Sequence, residues 1–305
     1  MNKKLAIVTM SFKDDFKECG LLCKSIDIFV SDEIIHYIIV NDEDYKLFQA
    51  YNYGQHKIRK ISEILPKWLI RFPFKIAGHR FHISPFTYPV RGWIIQQICK
   101  LGVFEIIDKN IDAVLNLDSE SVFMRPFNYD YFVKGENYIM FKLKESEPDP
   151  ADKEFCIAAK RLLRIDADIS SLQQYSYINE LVCFERNNLT ELLSLIASNN
   201  IFGNWKMALC NTYRFSEYYL YGIYVNAILE GKNHFFDDKR IFPHLSIKEY
   251  NEKTSFENKV KEIMRDDKVI GLWLQKTLRK KNSQYYLEFD AKKQIIESFW
   301  KLNSK

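Results

Sequence analysis

Apolar runs alternate with helix-spaced apolar positions in the first part of the chain. Residues 5–10 form a short apolar run, and residues 14–30 carry apolar side chains three and four positions apart, which predicts a strand followed by an amphipathic helix. Residues 34–40 are apolar except for one histidine, and a helix is predicted over residues 45–51. Strands that are apolar on both faces and alternate with helices indicate a largely parallel sheet covered by helices.

Four prolines interrupt every regular period between residues 55 and 90, so this segment is predicted to be a long excursion over the surface. A helix over residues 91–107 and a central strand over residues 113–117 follow it. Further helices are predicted over residues 153–163, 189–198, 216–229 and 291–302, and further strands over 138–141, 181–184, 234–236 and 269–274. The sequence has no repeat, linker or change of composition that divides it, so one domain with an elaborated second half is expected.

Composition narrows the classes of function. The 305 residues are 47% hydrophobic and 28% charged, which excludes disordered and collagen-like proteins. The 44 basic and 40 acidic residues leave a formal charge of +4, too small to indicate a nucleic-acid partner. Six cysteines lie in apolar segments without a C-x-x-C pair, and no apolar run approaches the ~18 residues that span a bilayer. A cytoplasmic protein with reduced, buried thiols is therefore expected.

Two carboxylates directly follow the central strand. Asp118 and Glu120 are separated only by Ser119, and in α/β sheets ligands bind in the crevice at the carboxyl ends of the strands. Carboxylate oxygens in such a crevice suit Mn²⁺ or Mg²⁺, which bind a diphosphate and stabilise the charge on it as it leaves. An ordinary solvated turn between two strands accounts for the same residues without any chemistry.

The acidic turn belongs to a longer pattern. Its parts are Gly92-Trp93, Gln96-Gln97, Lys100-Leu101, Asp118-Ser119-Glu120, Val122-Phe123 and Arg125-Pro126-Phe127, with residues 21–26 and 216–222 as further matches. This pattern resembles the core of bacterial GT-A-type glycosyltransferases, and within them a group from capsule and lipopolysaccharide gene clusters that is often described only as a domain of unknown function. The resemblance covers about three quarters of the chain.

The resemblance implies an α/β fold that is GT-A-like (Rossmann-type), with a mixed, mainly parallel sheet flanked by helices in a single domain over residues 1–305. Residues 1–127 would bind a nucleotide sugar, and residues 128–305 would bind the acceptor. The implied activity is a glycosyltransferase that moves a sugar from a nucleotide-sugar donor to a hydroxyl of a bacterial surface glycan or lipid-linked glycan.

One departure from the pattern affects the metal. The related group has Asp-x-Asp, whereas this chain has Glu120, whose extra methylene moves the carboxylate by roughly 1 Å, a large change for octahedral Mg²⁺. A metal-independent site is therefore an alternative, and so is a catalytically silent fold that binds a nucleotide sugar or a partner enzyme.

The resemblance also implies roles for polar residues at the ends of the first two strands. Asp42 is the candidate for the nucleoside, with Thr9 and Ser11 at the same sheet edge, and a helix-capping role is an equal alternative for Asp42. Ser119 is a further candidate for contact with the donor. A late histidine often completes the metal site in such enzymes, but spacing does not select one here.

Glu217 is the candidate for the catalytic base. It opens a predicted helix, where the backbone N–H groups favour a carboxylate, and an inverting transfer needs a carboxylate to accept the proton of the acceptor hydroxyl. A simple helix start is equally compatible. Gln97 and Lys100 share a helical face with Trp93, so both are candidates for the sugar or diphosphate, with a core tryptophan and a solvated lysine as the alternative.

Two basic, aromatic stretches, residues 67–75 and 275–281, predict peripheral contact with the cytoplasmic face of the inner membrane. Ordinary solvated charge beside core aromatic residues is the alternative for both.

Overall fold

The computed structural model describes residues 3–74, 80–144, 149–245, 253–274 and 289–303. The strands, labelled in chain order, are β1 (Leu5–Ser11), β2 (Ile35–Val40), β3 (His56–Lys60), β4 (Ile70–Arg71), β5 (Phe81–Ser84), β6 (Thr87–Arg91), β7 (Ala113–Asn116), β8 (Ser121–Phe123), β9 (Val133–Lys134), β10 (Asn137–Phe141), β11 (Leu143–Lys144), β12 (Tyr175–Ser176), β13 (Val182–Glu185), β14 (His234–Asp237) and β15 (Gly271–Trp273). The α-helices are α1 (Phe16–Phe29), α2 (Tyr45–Phe48), α3 (Gly92–Leu101), α4 (Tyr129–Phe132), α5 (Pro150–Leu163), α6 (Ile169–Leu172), α7 (Arg186–Ser198), α8 (Trp205–Cys210), α9 (Glu217–Ile223), α10 (Lys253–Ile263) and α11 (Phe289–Asn303).

A five-stranded sheet in the order β13-β7-β1-β2-β3 forms the centre of the fold. The four strands from β7 to β3 run parallel, and β13 pairs antiparallel with β7. Helices cover both faces. The prediction of a mixed, mainly parallel sheet flanked by helices is therefore confirmed.

The alternation of side chains along β1 separates two cores. Ala6 and Val8 point to the face that packs on α3 and α9, whereas Leu5 and Ile7 point to the face that packs on α1 and α11. All seven residues of β1 are buried, and each fully buried aliphatic side chain contributes about 1.5–3 kcal/mol. A strand apolar on both faces can only lie between two layers of helices, as the sequence predicts.

The prediction of a surface excursion over residues 55–90 is wrong in part. His56–Lys60 form β3, the parallel edge strand, with His36 of β2 opposite His56. His56 and Ile58 are buried while the basic residues between them are partly exposed, because one face of an edge strand meets solvent. These charged residues interrupt the apolar pattern, so the sequence did not predict the strand. The rest of the segment contributes an antiparallel sheet in the order β4-β5-β6.

Several predicted helices end earlier than expected. The helix predicted over residues 91–107 ends at Leu101, where Gly102 follows and donates its N–H to the carbonyl of Ile98. The helix predicted over residues 216–229 becomes a π-helix at Tyr224–Ile228. The helix over residues 45–51 is a single turn, α2, followed by a 3₁₀ turn.

The remaining strands form small sheets at the side of the central one, with the orders β14-β10-β9, β15-β8 and β11-β12. All six cysteines are buried and unbridged. Within the described ranges, no helix combines the length and the apolar character needed to cross a membrane.

Candidate functional site

A cleft of about 720 Å³ opens at the carboxyl ends of β1 and β2. The turn after β1 contributes Ser11 to Asp14, and the turn after β2 contributes Asn41, Glu43 and Asp44. The carboxylate of Asp44 joins the two turns, since it accepts hydrogen bonds from the backbone N–H of Lys13 (3.2 Å) and the side-chain amide of Asn41 (3.0 Å). The opposite wall comes from the β4-β5-β6 sheet and the start of α3.

Positive charge predominates in this cleft. Among the described residues, its cationic side chains are Lys13, Arg71, Arg80, Arg91 and Arg214, and its acidic ones are Asp14, Glu43 and Asp44. Glu43 forms ion pairs with both Arg71 and Arg80, the latter at 2.8 Å, and the Arg91 guanidinium lies 5.6 Å from the ring centre of Tyr213. Arginine forks match the geometry of phosphate oxygens, so the cleft suits a phosphorylated ligand.

A buried lysine organises a second group of polar side chains at the end of β7. The Lys100 ammonium lies 3.3 Å from Asp118, 3.1 Å from Glu217 and 2.8 Å from the Tyr218 hydroxyl. Burial would lower the pKa of Lys100, but Asp118, Tyr218 and Glu217 together raise it well above its usual value. The side chain of Asp118 is 39% exposed, against 7% for Glu217. Lys100 is therefore a fixed counter-ion to two carboxylates.

Glu180 is a third carboxylate of this cluster, and sequence reasoning missed it. It accepts hydrogen bonds from the Asp118 backbone N–H (3.2 Å) and the Ser121 hydroxyl (3.0 Å). Burial, followed by repulsion from Asp118, raises the pKa of Glu180 to about 8. The next residue, Leu181, has a φ of 57°, a left-handed conformation that costs a non-glycine residue about 1–2 kcal/mol. No motif in the sequence indicates a role for Glu180.

Helix α3 links the cluster to the cleft. Its first turn lines the cleft, and its last turn carries Gln97 and Lys100. The Gln97 side-chain oxygen accepts the backbone N–H of Glu217 at 2.9 Å, and Ser216 caps α9 by accepting the N–H of Tyr219. These contacts hold the start of α9 against α3, which fixes the position of Glu217.

Residues 2–291 match a protein family described as a family of unknown function (DUF6492). The chain belongs to the DUF6492 family. No protein of curated function matches this DUF6492 chain significantly.

The solved structures similar to the DUF6492 chain include several glycosyltransferases. The bifunctional glycosyltransferase WbbM is 12% identical, with a TM-score of 0.47, and the match covers 100% of this chain and 52% of that one. The galactosyltransferase LgtC, solved with donor and acceptor sugar analogues, is 14% identical, with a TM-score of 0.48 and coverage of 96% and 95%. Core-mannan synthase A from Aspergillus fumigatus, in a Mn/GDP form, is 12% identical, with a TM-score of 0.43 and coverage of 77% and 73%. The DUF6492 chain thus spans about half the length of WbbM.

Only part of the predicted nucleotide contacts line the cleft of the DUF6492 protein. Ser11 lines it. Thr9 is completely buried, and its hydroxyl lies 2.9 Å from Nε2 of His36. Asp42 turns away to bond the hydroxyl and the N–H of Ser62. Its neighbours Asn41, Glu43 and Asp44 are the residues of that turn that line the cleft.

The two acids of the predicted metal motif line different spaces. Asp118 joins Lys100 in the carboxylate cluster, whereas Glu120 lines a separate small cavity with Glu18, Leu274 and Lys292. Ser119 between them is buried. Asp118 faces the Lys100 ammonium at 3.3 Å and is not among the residues that line the cavity of Glu120. These residues do not fit a divalent ion as they stand, so the prediction of Mn²⁺ or Mg²⁺ at this turn gains no support from the structure.

The late histidines have different surroundings. His234 is buried beside the Tyr221 hydroxyl, 3.1 Å away, as expected of a core residue. His244 forms a bridge with Trp273, which pairs with Ser121 next to the acidic turn. Of the two late histidines, His244 is therefore the one that lies beside the β15-β8 pair, which directly follows the acidic turn.

Proposed function

We propose that this DUF6492 protein is a glycosyltransferase that moves a sugar from a nucleotide-sugar donor to a hydroxyl of a bacterial capsule, lipopolysaccharide or lipid-linked glycan. The observation that carries the proposal is the arginine-lined cleft at the carboxyl ends of β1 and β2, which shares helix α3 with the carboxylate cluster. A transferase of this kind needs a cationic site for the diphosphate beside a carboxylate for the acceptor.

The donor would occupy the cleft. Its volume of about 720 Å³ is within the 300–1,000 Å³ typical of ligand sites. Arg71, Arg80 and Arg91 would bind the diphosphate, because charge-assisted bonds from guanidinium groups are among the strongest available to phosphate. Ser11 and Asn41, at the ends of β1 and β2, would contact the nucleoside.

The carboxylate cluster would act on the acceptor. Glu217, whose carboxylate lies 3.1 Å from the Lys100 ammonium, would accept the proton of the acceptor hydroxyl as this attacks the sugar in a single displacement. In a retaining reaction it would instead stabilise the positive charge on the sugar. Asp118, the more exposed acid, would orient the incoming substrate.

Positive charge for the departing diphosphate is present in this chain's own residues. The arginines that line the cleft provide this charge without a metal, whereas Lys100 is already paired with two carboxylates. We therefore expect transfer to persist in EDTA. Loss of transfer in EDTA and its recovery with Mn²⁺ would assign this role to a metal.

The test is a panel of UDP-, GDP- and CMP-sugars with release of the nucleotide as the readout. One donor should be hydrolysed slowly by the wild type, and Asp118→Asn should abolish this. Asp108→Asn is the matched control, because Asp108 is an exposed partner of Lys57 away from the cluster. Absence of turnover with every donor would refute the proposal.

Glu217→Gln tests the base. The variant should bind the donor as the wild type does and transfer the sugar about 10²-fold more slowly, as loss of a general base typically causes. Glu105→Gln is the control, since Glu105 forms a surface ion pair with Lys206. Unchanged transfer would remove Glu217 from the mechanism.

A catalytically silent fold that binds a nucleotide sugar is the second candidate. The separation of Glu120 from Asp118 favours it, because the usual pair of acids does not form. Tight donor binding without turnover, even with acceptors present, would establish this alternative.

Peripheral membrane contact stays a prediction for residues 67–75, of which the structure describes residues 67–74. Ile70 and Phe74 of this stretch are 61% and 70% exposed, as a membrane-facing surface requires, while the other predicted stretch, residues 275–281, lies outside the described residues. Co-sedimentation with anionic liposomes at low and high salt tests the contact, and the cytoplasmic location is likewise a prediction.

A further inference from the structure

A row of polar side chains lies under the edge of the central sheet, away from the cleft. The Thr9 hydroxyl is 2.9 Å from Nε2 of His36, the Nδ1 atoms of His36 and His56 are 2.9 Å apart, and Nε2 of His56 is 2.9 Å from Asp27. His36 and His56 meet because they are register partners on β2 and β3. Neither the proposed donor site nor the carboxylate cluster uses these residues.

Cys23 completes the group from the helix above. It lies on α1, which packs on this face of the sheet, and its Sγ and the ligand nitrogens of His36 and His56 all lie within 4.8 Å of one another. All three side chains are buried. One sulfur and two imidazole nitrogens converging in a buried site form a donor set that suits zinc.

We propose that Cys23, His36 and His56 bind one Zn²⁺ ion. Zn–N bonds of about 2.0 Å and Zn–S bonds of about 2.3 Å place tetrahedral nitrogen and sulfur ligands about 3.3–3.5 Å apart. The observed separations reach this geometry with side-chain movements of about 1 Å. The Cys23 thiol proton is released to solvent on binding, because the thiolate is the ligand.

The outer nitrogens of both rings already have the partners that a zinc site needs. Metal-bound histidines almost always donate their second N–H to a carboxylate or another oxygen. Here Nε2 of His56 faces Asp27 and Nε2 of His36 faces Thr9, which leaves both Nδ1 atoms directed at each other. On binding, the proton shared between the two Nδ1 atoms moves to Nε2 of His36, which then donates to Thr9.

Asp27 and Tyr53 mark the side of the sheet edge from which an ion would enter. The Asp27 side chain is 37% exposed, and the Tyr53 hydroxyl donates to it at 3.1 Å above the His56 ring. An ion and the water in its fourth position can reach the ligands by displacing this pair. The bound ion would join α1 to the edge strand β3.

The competing account is a hydrogen-bonded chain without a metal, running from Thr9 through both histidines to Asp27. Titration of the tag-free, metal-free protein with Co²⁺ and Zn²⁺ separates the two. We expect one ion per chain, a visible absorption spectrum of tetrahedral Co²⁺ and a thiolate-to-cobalt charge-transfer band. A zinc content below about 0.1 per chain at saturation, without that band, would overturn the proposal.

Variants locate the site. Cys23→Ser should lose the charge-transfer band and at least tenfold in zinc affinity, because even the loss of a partner behind a ligand typically costs about 10–100-fold. Cys99→Ser is the matched control, because Cys99 is equally buried in the core of α3. Asp118→Asn should also retain zinc, which keeps this test independent of any metal at the acidic turn. Retention of the band in Cys23→Ser would exclude this site.

A third measurement needs no variant. Removal of zinc from the wild type by a chelator should lower its melting temperature, and re-addition should restore it. An unchanged melting temperature would contradict the binding of zinc to the folded state.

Discussion

Lys100 allows the strongest quantitative prediction, because it is buried and joins two carboxylates. Its ammonium lies 3.1 Å from Glu217 and 3.3 Å from Asp118, and at an effective dielectric constant of 20 each contact corresponds to about 5 kcal/mol of Coulomb energy. Solvent screens the half-exposed Asp118, and the desolvation of Lys100 offsets part of the rest. Breaking a buried pair by removing one partner costs about 3–5 kcal/mol, so Lys100→Met should lower the free energy of unfolding by that amount.

The assay is urea unfolding near pH 7 of four proteins: the wild type, Lys100→Met, Glu217→Gln and the double variant. The double variant should be more stable than the sum of the single changes predicts, by about 1–3 kcal/mol, because the lysine and the glutamate share one interaction. Lys57→Met is the control, since Lys57 pairs with Asp108 at the surface, and it should cost less than about 1 kcal/mol.

The pH dependence has a defined sign. A lysine whose pKa is raised in the folded state contributes stability that is present below its unfolded pKa and is lost only as the pH rises through the folded value. The difference between wild type and Lys100→Met should therefore be constant between about pH 6 and pH 8 and grow above pH 8, because Lys100 lowers the pKa of Glu180 to its value of about 8 and the variant loses this effect. A loss of less than about 1 kcal/mol in the free energy of unfolding of Lys100→Met would refute the role of Lys100 as counter-ion. Additive effects of Lys100→Met and Glu217→Gln in the double variant would refute it as well.

Three further predictions concern the carboxylate cluster, the cleft and the core. The pKa of Glu180 is raised to about 8 in the folded state, so the wild type loses stability as the pH rises from the unfolded pKa of about 4.3 towards 8. Glu180→Gln lacks this loss and should therefore become increasingly stable relative to the wild type between about pH 5 and pH 8. A difference in melting temperature that does not change with pH would contradict this. Arg91→Ala should weaken binding of the donor's nucleoside diphosphate about tenfold in calorimetry, whereas Arg164→Ala, remote from the cleft, should not; equal effects would exclude a specific phosphate contact. Gly271→Ala should lower the free energy of unfolding in urea by about 1–3 kcal/mol, because the added Cβ would collide with Phe242 and lie 2.6 Å from the Val122 carbonyl. An unchanged urea midpoint would show that Phe242 moves without strain.

The sequence predicts the elements whose apolar pattern is continuous. β1, β7 and α1 were expected because their side chains are apolar on every face that meets another layer, so burial alone determines their form. β3 was missed because an edge strand needs only alternate apolar positions, and its basic residues lie between them. The rule that detects central strands therefore fails at the edge of a sheet.

The site was predictable only where a motif encodes it. Asp118, Lys100 and Glu217 lie in one cluster and were all candidates, because strand ends and helix starts carry recognisable local signals. Glu180 reaches the candidate site from a segment without any motif, and Arg71 from the basic, aromatic stretch 67–75 that the sequence assigned to membrane contact. The different directions of Asp118 and Glu120 follow from the backbone at their turn, which residue types alone do not specify.

Glu43 has a consequence for ligand selectivity. It bridges the guanidinium groups of Arg71 and Arg80, so any anion that enters must compete with a resident carboxylate for both of them. Chloride replaces only one such contact, whereas a ligand with two adjacent phosphoryl groups replaces both. If the proposed donor binds here, the protein would thereby discriminate by valency against monovalent salt anions before any sugar or base is recognised.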